Sequence, residues 1–278
     1  MNKLAKLLDW LYPPTCIACR TLIPLNKTQP RDLLICEPCQ ALFEPIDSCI
    51  CKCCGMPTEM DVERCVSCFG KAFSFERNYA TFIYEDLVRD LLLDLKFNCK
   101  KQIAYSLGKL WAKHVGTAVT REIFHCSDST ATASTLRRLA ESRCVKNSLT
   151  TTAPLEGTYL VPLPMHPKKQ RERGFNQAEV LAKAVGERLG IPVVNALERV
   201  LDTPPQSGLH LRQRVENIQG AFGVAKSENP QDKHYIVVDD IYTTGASLNE
   251  CARVLKEAGA SSVCGLTLSV VKKKKEKD

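Results

Sequence analysis

The sequence predicts an α/β protein: a parallel sheet with helices on its faces, preceded by a small cysteine-rich metal module. Three observations predict it. From Thr158 to Val271 short apolar runs alternate with segments of helical period, the pattern of strands joined by helical crossovers. Ten of the fifteen cysteines fall between Cys16 and Cys68, eight of them in four C-x2-C pairs. The chain of 278 residues is roughly twice the ~100–150 residues of an ordinary domain, so two units are expected.

Composition narrows the class. Hydrophobic residues at 44% and charged residues at 25% suit a buried core and argue against global disorder. The longest uncharged run, Ala258 to Val271, has 14 residues, short of the ~18 of a membrane span, so no membrane insertion is expected. The apolar run at the start is broken at Lys6 and Asp9, too early for a secretory signal, and the expected compartment is the cytoplasm. Net charge is +7, yet residues 1–70 carry one net negative charge. The basic excess lies elsewhere and suits a phosphate-rich ligand or a nucleic acid. The tail at 272–278, KKKKEKD, reads as a solvated terminus.

The first unit, residues 1–70, holds four C-x2-C pairs: Cys16/Cys19, Cys36/Cys39, Cys51/Cys54 and Cys65/Cys68. Two intervening residues make a tight knuckle that aims both thiolates at one point about 2.3 Å from a metal, and two knuckles complete a tetrahedron. Two structural Zn²⁺ ions are expected, with pairing in sequence order or interleaved. Gly55 supplies the positive φ such a knuckle uses. Cys49 and Cys53 crowd this pair but lack its spacing, and are read as bystanders. A redox C-x2-C site would need a βαβ setting, which this Pro-punctuated segment lacks. Eight thiolates on two Zn²⁺ leave the module acidic, so it reads as structural or protein-contacting, not as a DNA reader.

Residues 71–116 form a strand and two helices. ERNYATFIYE alternates through Tyr79, Thr81 and Ile83; Leu87, Leu91 and Leu95, then Leu107, Leu110 and Trp111, recur at helical spacing. His114 reads as a surface or helix-end residue. Residues 117–157 are rich in Ser and Thr and read as a flexible insertion without chemistry.

In the core, 158–271, TYLVPLP is a strand, NQAEVLAKAVGERLG a helix, PVVNALERV extended, HYIVVDD a buried strand, ASLNECARVLKEAG a helix and SSVCGLTLSVV the last strand. The sharpest signal is IVVDDIYTTGASL, from Ile236 to Leu248. Ligands bind at the carboxyl ends of parallel strands, and here a strand ends in two carboxylates before a Thr/Gly/Ser loop opens a helix. Gly245 lets the amides from Thr244 through Ala246 to Ser247 converge on a phosphate, with hydroxyls from Thr243, Thr244 and Ser247 as further donors. Asp239 and Asp240 repel phosphate; their partners are sugar hydroxyls and hydrated Mg²⁺. No Lys follows the glycine, so this is not an NTPase P-loop.

VVDDIYTTGAS resembles the phosphoribosyl-pyrophosphate (PRPP) motif of type I phosphoribosyltransferases. The cysteine module, LKF (Leu95 to Phe97), VPLP (Val161 to Pro164), RERGFNQ (Arg171 to Gln177), PPQ (Pro204 to Gln206) and RVENIQGAF (Arg214 to Phe222) extend the resemblance to the ComF family. It implies a type I phosphoribosyltransferase-like Rossmann-type sheet with an N-terminal double zinc ribbon. It also implies a pyrophosphate-contacting loop carrying Lys168, Lys169, Arg171 and Arg173. A catalytic loop between Thr203 and Phe222, with Arg212 and Arg214, follows from the same resemblance. Asp239, Asp240, Arg173 and Arg214 are then the expected catalytic residues, and Mg²⁺ accompanies PRPP; His166 and His210 are not expected to act as bases. The implied role is in DNA uptake: binding PRPP and handling single-stranded DNA alongside uptake-machinery proteins during natural transformation. The competing expectation is an active phosphoribosyltransferase releasing pyrophosphate in nucleotide salvage or biosynthesis.

Overall fold

Strand β5 (His234–Tyr242) lies inside a four-stranded sheet because Tyr235–Val238 is an unbroken apolar run, buried on both faces. A computed structural model describes residues 13–24, 33–98, 100–123, 157–202 and 218–272 of the chain. The sheet is wholly parallel. Its order is β1 (Asn78–Ile83), β6 (Ser262–Val270), β5, β2 (Thr158–Pro162), with Asp239 opposite Thr267 and Leu160 opposite Ile236.

Helices cover both faces. On one, α2 (Asp86–Asn98) and α3 (Lys101–Ile123) pack beside α5 (Gln177–Leu189). The Asn176 side chain caps α5 by accepting from the Ala178 amide at 3.0 Å, and Ala178, Leu181, Ala182 and Val185 form the buried stripe its periodicity predicts. Trp111 of α3 is fully buried, with its indole Nε1–H donating to Thr81 Oγ1 at 2.7 Å. On the other face lies α6 (Ala246–Glu257), burying Leu248, Cys251, Ala252 and Leu255. Two shorter helices complete the set: α1 (Glu37–Gln40) in the cysteine module and α4 (Pro167–Arg173) after β2. Among the described residues, no helix is long and apolar enough to cross a membrane.

The structure departs from the sequence reading in four places. In β1 the alternation Tyr79, Thr81, Ile83 does not divide a wet face from a dry one, because Asn78, Tyr79, Thr81 and Phe82 are all buried. The cysteine module covers the side that a free edge strand would expose. PVVNALERV does not add a full strand to the parallel sheet. Only Val193 bridges to Leu160; the chain then leaves, and β3 (Leu197–Arg199) pairs antiparallel with β4 (Phe222–Val224), where Arg199 lies over the Phe222 ring. The segment expected as a pyrophosphate loop is largely helix α4, because His166 caps its start, Pro167 opens it and Gly174 at φ 82° closes it. The expected boundary at 116/117 falls inside α3, which runs on to Ile123. The rest of the predicted insertion, His210, Arg212, Arg214, the PPQ motif, and residues 1–12 and 273–278 lie outside the described residues.

Candidate functional site

The eight ligand candidates converge in two sets. The sulfur atoms of Cys16, Cys19, Cys36 and Cys39 lie within 4.8 Å of one another, and so do those of Cys51, Cys54, Cys65 and Cys68. Cys19 and Cys36 sulfurs are 3.6 Å apart, Cys54 and Cys65 sulfurs 3.7 Å. A tetrahedron with bonds of about 2.3 Å requires edges of about 3.8 Å, close to these two edges, so the residues fit Zn²⁺. The grouping follows sequence order. Each knuckle also turns backbone amides toward sulfur: Cys36 N–H donates to Cys16 Sγ at 3.4 Å and Cys65 N–H to Cys51 Sγ at 3.1 Å. Gly55, at φ 74°, donates to the Cys51 carbonyl and presses against β1, where an added Cβ would lie 2.9 Å from Asn78 O and Ala80 N. Cys49 is exposed and Cys53 buried; neither joins a set of four.

A cleft of about 710 Å³ opens at the carboxyl end of β5. Its floor runs from Asp239 through Thr243, Thr244, Gly245, Ala246 and Ser247 to Leu248. Gly245 has φ 77°, and a Cβ there would collide with the Tyr242 ring, so this turn admits only glycine. Thr244 Oγ1 accepts from the Ala246 amide at 3.2 Å, so one of the amides expected to face a phosphate already has a partner. Asp240 is buried, and its carboxylate pairs with Lys96 of α2 at 2.9 Å. Burial, and then the charge of Asp240, push the Asp239 carboxyl well above the usual carboxylate range.

The opposite wall is α4. Lys169 and Arg173 line the cleft, and Arg173 Nη1 donates to Gln177 Oε1 at 2.7 Å. Burial and the neighbouring Arg199 charge pull the Lys169 ammonium below its ordinary value. Lys168 points elsewhere, to within 4.0 Å of Asp202, which also sits 3.5 Å from His166 Nδ1. The sequence reading overlooked Glu172 on this wall, and Tyr84, Leu93, Lys96 and Phe97 on the third. LKF was a visible signal for Lys96 and Phe97, since it stood out as a motif without a role. Of the expected catalytic set, Asp239, Asp240 and Arg173 share this cleft.

A family model described as a double zinc ribbon domain matches residues 7–69, and one described as a phosphoribosyl transferase domain matches residues 176–278. Fold and sequence together thus define a double-zinc-ribbon protein with a phosphoribosyltransferase-type α/β domain. The chain is 26% identical over 253 residues to DNA utilization protein YhgH of Escherichia coli (strain K12), covering 90% of this chain and 94% of that one. It is 25% identical over 243 residues to competence protein ComFC of Bacillus subtilis, covering 85% and 84%. Competence protein F of Haemophilus influenzae is 35% identical over 106 residues, 37% of this chain and 46% of that protein. The chain is thus similar, over most of its length, to proteins named for competence and DNA utilization. Solved structures align less extensively; the glutamine PRPP amidotransferase of B. subtilis gives 16% identity, 59% of this chain, 25% of that one and a TM-score of 0.30.

Proposed function

We propose that the cleft binds PRPP or a closely related sugar phosphate with Mg²⁺, and that the protein acts in the cytoplasm in the handling of single-stranded DNA during uptake. The observation that carries this reading is the junction of β5 and α6. Two carboxylates end the strand, and a glycine-only turn then presents a helix N-terminus to the same cleft. The phosphate is held by the 243–247 loop, the ribose diol by Asp239 and Asp240, and the pyrophosphate by Lys169 and Arg173. Arg214, outside the described residues, is the further cation assigned to the leaving group. Mg²⁺, held through water by the two aspartates, would spread the pyrophosphate charge. The names of the relatives, competence protein and DNA utilization protein, support the biological role.

A second reading, a phosphoribosyltransferase, is favoured by the third wall: Tyr84, Leu93 and the exposed Phe97 offer a planar acceptor an apolar surface beside the cleft. Isothermal titration with PRPP and Mg²⁺ tests the shared site. Gly245→Val is expected to abolish binding. Asp239→Asn with Asp240→Asn weakens it while sparing inorganic phosphate, and Arg173→Ala weakens PRPP more than ribose 5-phosphate. Wild-type affinity in the aspartate double variant would refute the ribose assignment. Pyrophosphate release, measured with and without single-stranded DNA, separates the two readings.

A further inference from the structure

Lys96 has no part in the reading above, yet it lines the cleft and makes an ionic contact there. Leu92 and Leu95 are fully buried and fix the last turns of α2, so the Lys96 stem is carried over the end of β5. Its Nζ lies 2.9 Å from Asp240 Oδ2, and the Asp240 side chain is only 5% exposed. A carboxylate that deep is strongly destabilising unless a cation stands against it. The Asp240 backbone is fixed as well: its amide donates to Asp239 Oδ1 at 2.9 Å and its carbonyl accepts from Ser269 Oγ at 3.1 Å.

A phosphate-bearing ligand therefore meets the Lys96–Asp240 ion pair, in place of two bare carboxylates. We propose that Lys96 is a fixed ligand-binding cation of the cleft, and that it gives the site a metal-independent affinity for a sugar monophosphate such as ribose 5-phosphate. This rests on the sugar-phosphate reading of the cleft. The ammonium has three N–H donors, and Asp240 occupies one direction; the others are available to ribose hydroxyl oxygens. In this arrangement Mg²⁺ matters for the pyrophosphate of PRPP and little for the sugar.

The test is titration of ribose 5-phosphate in EDTA and in Mg²⁺, with Mg²⁺-PRPP as the control ligand. Wild-type affinity for ribose 5-phosphate should change less than about threefold between the two buffers, whereas Lys96→Met should lose about tenfold or more in EDTA, the scale of one charge-assisted hydrogen bond. Lys96→Arg should retain most of the affinity. Because Lys96→Met strands Asp240, the double variant Lys96→Met with Asp240→Asn is compared with Asp240→Asn alone, and it should be the weaker of the two by about tenfold. The proposal is overturned if Lys96→Met binds in EDTA like the wild type. A double variant that binds like Asp240→Asn alone also overturns it, since Lys96 would then be only a structural partner. Wild-type binding that collapses in EDTA while Mg²⁺-PRPP still binds removes the Lys96 inference alone. Wild-type protein that binds neither ligand removes the sugar-phosphate reading and this inference together.

Discussion

The two four-cysteine clusters use the same C-x2-C pairs but brace different walls of the cleft. Cluster one, Cys16/Cys19/Cys36/Cys39, leans on the helical wall. Beside it the Leu34 amide donates to Ser106 Oγ of α3 at 3.0 Å, Lys113 Nζ to Gln40 Oε1 at 2.9 Å, and Phe43 meets Phe82 edge-on at 5.6 Å. Cluster two, Cys51/Cys54/Cys65/Cys68, is stitched to the sheet beneath the phosphate loop. The Cys53 carbonyl accepts from the Asn78 amide, and the Asn78 side chain donates both to the Cys54 carbonyl and to Thr267 Oγ1 at 3.0 Å. Thr267 itself lines the cleft. The Ser74 amide donates to Asn249 Oδ1 in the first turns of α6, and Phe75 packs edge-on against Tyr242, the ring under Gly245. Identical metal chemistry thus serves unequal ends: cluster two is two hydrogen bonds from the cleft, through Asn78, and cluster one several side chains away.

The largest expected difference follows from deleting one ligand of each cluster. Cys54→Ser and Cys39→Ser should each lower zinc from two atoms per chain to one, since a structural site supplies on the order of 10 kcal/mol of folding energy. PRPP affinity should fall by about tenfold or more in Cys54→Ser and by about threefold or less in Cys39→Ser, the loop being tied to only one of them. Equal losses, by elemental analysis and titration on the same samples, would break the comparison.

Phe43→Ala empties a buried aromatic site beside cluster one, and denaturant unfolding should show a loss of about 3–5 kcal/mol with PRPP affinity unchanged. Gly55→Ala should destabilise by about 2–3 kcal/mol through its positive φ and the press against β1, and here affinity should fall too. Asp239→Asn moves the other way. With its folded pKa raised, ionised Asp239 opposes folding at every pH above the unfolded value of about 3.9. The Asn variant should therefore be more stable by about 1 kcal/mol at pH 7, the gain vanishing near pH 3. Thermal melts across that range check the sign. Smallest is Arg20→Ala, whose exposed contact with Asp94 spans 3.7 Å between cluster one and α2; a change under about 0.5 kcal/mol, lost in high salt, is expected.

What the sequence made legible was local. The knuckles need only two intervening residues, α5 announces itself through Asn176 and its apolar stripe, and the strand–aspartate–glycine run of β5 needs no distant partner. What it hid depends on contacts between distant segments. Lys96 reaches Asp240 only because α2 docks across the sheet end, and nothing within LKF states that. β1 is buried on both faces because the cysteine module lies over it, so its own alternation misleads. β3 leaves the parallel sheet for β4, a choice set by residues beyond Phe222. Arg214, expected to serve the site, lies outside the described residues.

The pairing of β1 with β6 bears on how the chain assembles itself. Asn78 finds Gly265, and Ile83 finds Val270, as its register partners. Each thiolate set closes over a short stretch before residue 69, so metal capture can finish early in synthesis. The edge of β1 must then wait, unpaired, until the final strand has been made, and such long-range closure is slow. Translation that stops short of Ser262 leaves two finished clusters beside a sheet without its second member. A truncated product would therefore still sequester zinc while offering nothing to a phosphorylated sugar.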